Sequence, residues 1–293
     1  MTKYSKARHI WRAIYPMLIF IGLSTVIVFI AVLGYSFAIG IDMAATGETL
    51  EQAAIEEMLE TFIMNYGLWF QFFSSIIGIL IFSLIWRKTR YELKKYDNNR
   101  LRPLLVCLTI FFWVGLNFVL ASVFALADIV RFFPSYEDVI KVLESGNLVV
   151  RILTIGIAAP IMEELCCRGI VFNRLNSWLP AWAAVVISSA LFGLVHLNIF
   201  QGLYAFLLGV LLCMMYVRYR NLWVPVIAHI VFNVANVLLG SIPGVEETNT
   251  LFILFPGLLI TIVCAILLLK RTTAAALIVE SESNISTESM TMS

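Results

Sequence analysis

The sequence predicts an all-α, polytopic membrane protein of about eight transmembrane helices. Three observations carry that prediction. The chain of 293 residues is 61 % hydrophobic and only 13 % charged, with a mean hydropathy of +0.92. Its apolar residues gather into runs of roughly 20, the length that spans a bilayer as a helix. Its basic residues lie between these runs with a strong bias to one side.

The runs are about Ile14–Ile39, Tyr66–Trp86, Pro103–Ala127, Leu148–Leu175, Ala181–His196, Ile199–Val217, Leu222–Leu239 and Leu251–Leu269. The first is too long for a signal-peptide core and has no small-residue cleavage site, so it is expected to stay as a helix. Lys3, Lys6, Arg8 and Arg12 precede it, and Arg87, Lys88, Arg90, Lys94, Lys95, Arg100 and Arg102 fill the second loop. Arg174, Arg218, Arg220, Lys270 and Arg271 end later runs. With eight crossings all of these fall on one face, and Arg131 and Lys141 on the other. The positive-inside rule then places both termini in the cytoplasm of a multi-pass cell-membrane protein. The net charge of +1 gives no reason to expect a nucleic-acid partner.

Residues 1–271 read as one polytopic domain and 272–293, rich in Ser and Thr, as a disordered cytoplasmic tail. The acidic stretch Asp42–Asn65 carries apolar residues at helical spacing. It is expected to form a separate amphipathic helix on the outer surface, with Thr49 and Gln52 as a capping box. A second short helix is expected from Ser135 to Gly146. The five cysteines, Cys107, Cys166, Cys167, Cys213 and Cys264, contain no CxxC and read as small buried hydrophobes.

The fourth run holds the chemistry. Glu163 and Glu164 stand side by side inside it, whereas the other acidic residues fall in loops or the tail. A carboxylate at membrane depth is costly and is a functional-site hypothesis by default. Pro160 removes a backbone donor, so a kink is expected around Gly156. Neighbours on a helix point about 100° apart, which separates the roles of the two glutamates. Glu164 precedes Arg168 by four residues, the favourable order for an ion pair, and is assigned to structure with it. Glu163 is left as the free carboxylate. The bland alternative is that both glutamates only neutralise Arg168 and Arg151. Phe192 and His196 share one face of the fifth run; His229 and Asn233 share one face of the seventh. At about 1.5 Å per residue these side chains reach similar depths and can share a cavity.

The set Glu163, His196, His229 and Asn233 allows two mechanisms. Glu163 and His196 could deprotonate a water while His229 and Asn233 donate to an oxyanion. Alternatively Glu163, His196 and His229 could hold Zn2+. There is no HExxH for zinc and no GxSxG for a serine nucleophile. Cys166 and Cys167 lack a local base.

Three spacings occur in order on separate runs: EExxxR at Glu163–Arg168, FxxxH at Phe192–His196 and HxxxN at His229–Asn233. In this arrangement the chain resembles the CPBP family of intramembrane proteases, which includes the CAAX prenyl endopeptidases and bacterial bacteriocin-processing and immunity proteins. The resemblance covers about Ile152–Val237, within a catalytic core of about 148–240 in helices 4, 5 and 7. It implies that Glu163 and His196 activate water, that His229 and Asn233 form an oxyanion hole, that Glu164 and Arg168 brace the fourth helix and that Phe192 lines the pocket. The implied substrate is a membrane-associated peptide or protein, including lipidated ones, met in the lipid bilayer. The implied source is bacterial. Whether the cofactor is Zn2+ or none is left open. Two other readings compete: a non-catalytic scaffold or self-immunity protein that retains the pocket, and a proton-coupled transporter. The transporter would require matched inverted halves, and only the Pro160 break is found.

Overall fold

The computed structural model describes residues 5–47, 49–93, 101–245 and 249–270. The expected tail 272–293 and the basic residues Lys3, Lys94, Lys95, Arg100 and Arg271 lie outside the described residues. Among the described residues the regular structure is helical, without strands. The chain is a polytopic, all-α membrane protein. The long helices are α1 (Lys6–Thr46), α2 (Gln52–Leu93) and α3 (Pro103–Leu126), followed by the short α4 (Ser135–Glu144). The segment α5 runs through Leu148–Arg151, Ile152–Ala158, Ala159–Glu164, Leu165–Phe172 and Asn173–Leu175. Then come α6 (Ala181–Leu194), α7 (Ile199–Tyr219), α8 (Trp223–Leu239) and α9 (Leu251–Lys270). By length and composition α1, α2, α3, α7 and α9 can each cross a membrane, whereas α6 and α8 are shorter apolar helices.

Ser5 caps α1 by accepting from the Arg8 N–H, and Gly47 closes it in a left-handed conformation with its N–H on the Met43 carbonyl. Its 41 residues span about 61 Å at the helical rise, about twice the apolar thickness of a bilayer. The antiparallel α2 is as long and packs along it, through a 2.8 Å Ser24–Ser74 hydroxyl bond and stacked Tyr35 and Phe62 rings 4.2 Å apart. The separate amphipathic outer helix therefore does not exist as such. It is the first half of α2, continuous with the second apolar run. No proline lies between Leu50 and Trp86, so nothing stops the helix from propagating once it has started at Gln52. The short outer helix does form, with Ser135 as its first helical residue and Gly146 left-handed just beyond its end.

Ahead of Pro160 the winding of α5 widens. Ile152–Ala158 winds as a π-helix, and Ala159 N–H reaches the Thr154 carbonyl five residues back. The wider turn separates the donorless proline from the carbonyl that an α-helix would press against its ring. A second π stretch, Leu165–Phe172, follows the two glutamates; no proline accounts for it and the sequence does not predict it. Side chains from neighbouring helices, and Asn173 of α5 itself, bond to carbonyls in both stretches. Asn233 Nδ2 donates to Ile155, Ser188 Oγ to Cys167, and Asn173 Nδ2 to both Gly169 and the Tyr216 hydroxyl. In an apolar surrounding each carbonyl left without a donor would be costly.

The buried core gathers around α5, with Met162, Cys166, Ile170 and Phe172 packed against α1, α2, α6 and α7. A smaller cluster joins Trp113 of α3 to Phe232 of α8, edge to face at 5.9 Å. α6 and α7 approach backbone to backbone. A Cβ at Gly193 would lie 2.5 Å from the Gly202 carbonyl oxygen, so only glycine permits this crossing.

Candidate active site

The two glutamates lie at the end of Ala159–Glu164, between the π stretches of α5. Glu164 is fully buried and points into the bundle, where its Oε1 accepts from Arg168 Nη1 at 2.7 Å. The same oxygen faces His229 Nδ1 at 2.9 Å. Arg168 is buried too. Its Nη2 donates to the Gly209 carbonyl at 2.9 Å and its guanidinium sits over the Phe192 ring at 4.8 Å. Arg168 thus meets a carboxylate, a carbonyl and an aromatic face, the set a buried cation needs. The pair expected from its i,i+4 spacing is present. Arg151 is engaged elsewhere, with the Leu143 carbonyl and the Ser241 hydroxyl, which removes the reading in which it is neutralised by the two glutamates.

Glu163 turns away from that cluster. Its side chain is 13 % exposed and its Oε2 is 3.6 Å from His229 Nε2. The imidazole of His229 therefore stands between two carboxylates, each on its own ring nitrogen. With Nδ1–H committed to Glu164, Nε2 is the atom left to face Glu163 and any substrate.

His196 lies in the turn after α6, beyond Leu194 rather than on the helix itself. Its Nδ1 donates to the Phe192 carbonyl at 2.9 Å, which leaves Nε2 with the lone pair. Phe192 links the two histidines, edge to face with His196 at 5.0 Å and with His229 at 5.8 Å. Among the described residues no direct hydrogen bond joins His196 to Glu163. Asn233 is one turn along α8 from His229, with one amide hydrogen on Ile155 and the other available. The sequence reading missed Gly209. A Cβ there would lie 3.1 Å from Phe192 Cδ1 and 3.4 Å from Arg168 Nη2. The signal was present as a glycine in the middle of an apolar run.

Among the described residues no group of three or more His, Cys, Asp or Glu side chains is arranged to hold an ion. The Nδ1 bonds of His229 to Glu164 and of His196 to Phe192 leave both Nε2 atoms open.

Glu164, Arg168 and His229, with the partly open Glu163 beside them, are set inside the apolar helical bundle of a membrane protein. Residues 145–235 match the family described as type II CAAX prenyl endopeptidase Rce1-like. A Bacillus subtilis (strain 168) protein named "Putative membrane peptidase YdiL" is 33 % identical over 92 residues, 31 % of this chain and 38 % of that protein. No solved structure gives a significant match. The matched segment contains Glu163, Glu164, Arg168, His196, His229 and Asn233. The match spans well under half the length of the B. subtilis relative.

Proposed function

We propose that the protein is an intramembrane endopeptidase that hydrolyses a peptide bond of a membrane-associated or lipidated peptide or protein. The observation that carries this reading is the division of labour between adjacent carboxylates. Glu164 is neutralised by Arg168, while Glu163 is partly open and, among the described residues, faces only the His229 ring.

In this mechanism Glu163 takes a proton from a water that His196 Nε2 orients. The water oxygen attacks the peptide carbonyl. The resulting oxyanion receives hydrogen bonds from the free amide hydrogen of Asn233 and from His229 Nε2 when that nitrogen carries a proton. Glu163 then returns its proton to the leaving amine as the C–N bond breaks. Glu164 contributes by holding the imidazole of His229. The steps as written use only these side chains and a water.

The expected topology has eight crossings, with α5, α6 and α8 completing the five long helices and both termini in the cytoplasm. The concentration of basic residues near the N-terminus and beyond α2 supports that orientation. A bacterial cell membrane is the expected location, in keeping with the B. subtilis relative.

The test is cleavage of a quenched fluorescent peptide library by purified protein in detergent. Wild type, Glu163→Ala and His196→Ala are compared with and without a zinc chelator. The expected result is activity in wild type alone, unaffected by chelator. Equal turnover in all three proteins would sink the reading, and activity abolished by chelator and restored by zinc would replace the metal-free mechanism.

A further inference from the structure

The turn that carries His196 is held from outside its own helix. α6 ends at Leu194. The next residues are closed by long turn bonds, Val195 N–H to Leu191 at 3.3 Å, His196 N–H to Gly193 at 3.2 Å and Leu197 N–H to Leu194 at 3.4 Å. Leu197 then adopts a left-handed backbone, with φ +55°, a conformation that a residue with a β-carbon enters at a cost of about 1–2 kcal/mol. Its side chain is 84 % exposed, so packing within the protein does not offset that cost. A strained residue persists only where its surroundings over-determine it.

Asn198 supplies the constraint. Its Oδ1 accepts from the Gln201 N–H at 3.1 Å and caps α7, and its carbonyl accepts from Gly202 N–H at 2.7 Å. Its Nδ2 donates in the other direction, to the carbonyl of Ser135 at 3.1 Å and to the Ser135 hydroxyl at 3.3 Å. Ser135 opens α4. The adjoining rings secure the same junction: Tyr136 and Phe133 pack on Phe200 of α7 at 4.9 and 5.2 Å. The last residue before α7 is thereby bound at once to its own helix and to α4.

We propose that Asn198 is a positioning residue for His196, with Ser135 on α4 as its anchor. The proposal rests on the peptidase reading, in which His196 aligns the attacking water with Glu163. The Nδ1 bond to Phe192 sets the rotation of the His196 ring. The turn sets where the ring is placed, and Asn198 sets the turn. Helix α4, the cover on this end of the bundle, is in this way coupled to the catalytic imidazole through one side chain. Small displacements of a catalytic group have large kinetic consequences.

The experiment uses Asn198→Asp. Aspartate caps a helix as well as asparagine, so α7 keeps its N-cap, but the donor to Ser135 is replaced by an oxygen that opposes a carbonyl. The expected result is a kcat lower by about ten-fold or more at a KM within about two-fold of wild type, with thermal unfolding in detergent unchanged. Lys141→Ala, on the exposed face of α4, is the control and leaves both constants unchanged. A second readout does not depend on turnover: acylation of His196 by diethyl pyrocarbonate, followed by peptide mass spectrometry, is expected to accelerate several-fold in Asn198→Asp. Wild-type kcat with a wild-type acylation rate overturns the proposal and leaves the peptidase reading standing. A change in KM alone also overturns it, because it places Asn198 on the substrate path. Faster acylation in a protein whose wild type cleaves nothing upholds the positioning of His196 and removes the peptidase reading instead.

Discussion

Nδ1 of His229 lies 2.9 Å from Oε1 of Glu164, the same oxygen that accepts from Arg168 at 2.7 Å. One carboxylate oxygen thus joins α5 to α8 and sets the ring of a candidate catalytic histidine. Glu164 has two separable duties, one to the fold through Arg168 and one to the site through His229.

Those duties separate by mutation. Glu164→Gln leaves the buried Arg168 without its counter-charge and is expected to cost about 3–5 kcal/mol, read as loss of the folded species on heating in detergent. Glu164→Leu combined with Arg168→Met replaces the ion pair by apolar volume and is expected to recover much of that stability. The double variant stays inactive, because His229 has lost its Nδ1 partner. A double variant with wild-type turnover would show that Glu164 serves only the fold.

Glu163→Gln is the opposite case. Its side chain is partly open and has no hydrogen bond that the fold depends on. The variant is expected to melt as wild type does while turnover falls at least about 10²-fold, the contribution expected of a general base. A cleavage assay run beside a thermal-unfolding curve checks both halves.

Asn233→Ala tests both uses of that amide. It removes the donor to the Ile155 carbonyl in the π turn, with an expected stability loss of about 1–3 kcal/mol for the buried acceptor left unpaired. It also removes the oxyanion donor of the proposed mechanism, with an expected drop of about 10²-fold in kcat. If only stability falls, Asn233 is a brace for α5 and the oxyanion role belongs to His229 alone.

Three glycines should rank by what a methyl group would meet. Gly193→Ala is the most damaging, since its Cβ would sit 2.5 Å from a backbone carbonyl that cannot move independently. Gly209→Ala is intermediate, at about 1–3 kcal/mol, because its neighbours at 3.1–3.4 Å are side chains. Its functional effect is expected to exceed its stability effect, because those side chains, with Ser189, include Phe192 and Arg168. Gly22→Ala meets nothing within 4 Å and is expected to be neutral or slightly stabilising in the middle of α1. Thermal unfolding of the three variants in one detergent gives the order.

The all-helical membrane class was legible in the sequence because hydrophobic length and charge placement are properties of the chain alone. The Glu164–Arg168 pair was legible for the same kind of reason: an i,i+4 contact is set by the local geometry of one helix. The separation of Glu163 from Glu164 followed from helical angle, and the three spaced motifs pointed to the segment that the family comparison also finds. The tertiary structure decided everything that crosses between helices. It made Glu164 the partner of His229, gave the Asn233 amide to a π-turn carbonyl, placed Gly209 beneath Arg168 and Phe192, and tied Asn198 to Ser135. It also merged the acidic amphipathic stretch into α2 and ended α6 two residues before His196. These contacts depend on the depth and rotation at which one helix meets another. Side-chain packing across the bundle sets both, and no local spacing encodes them.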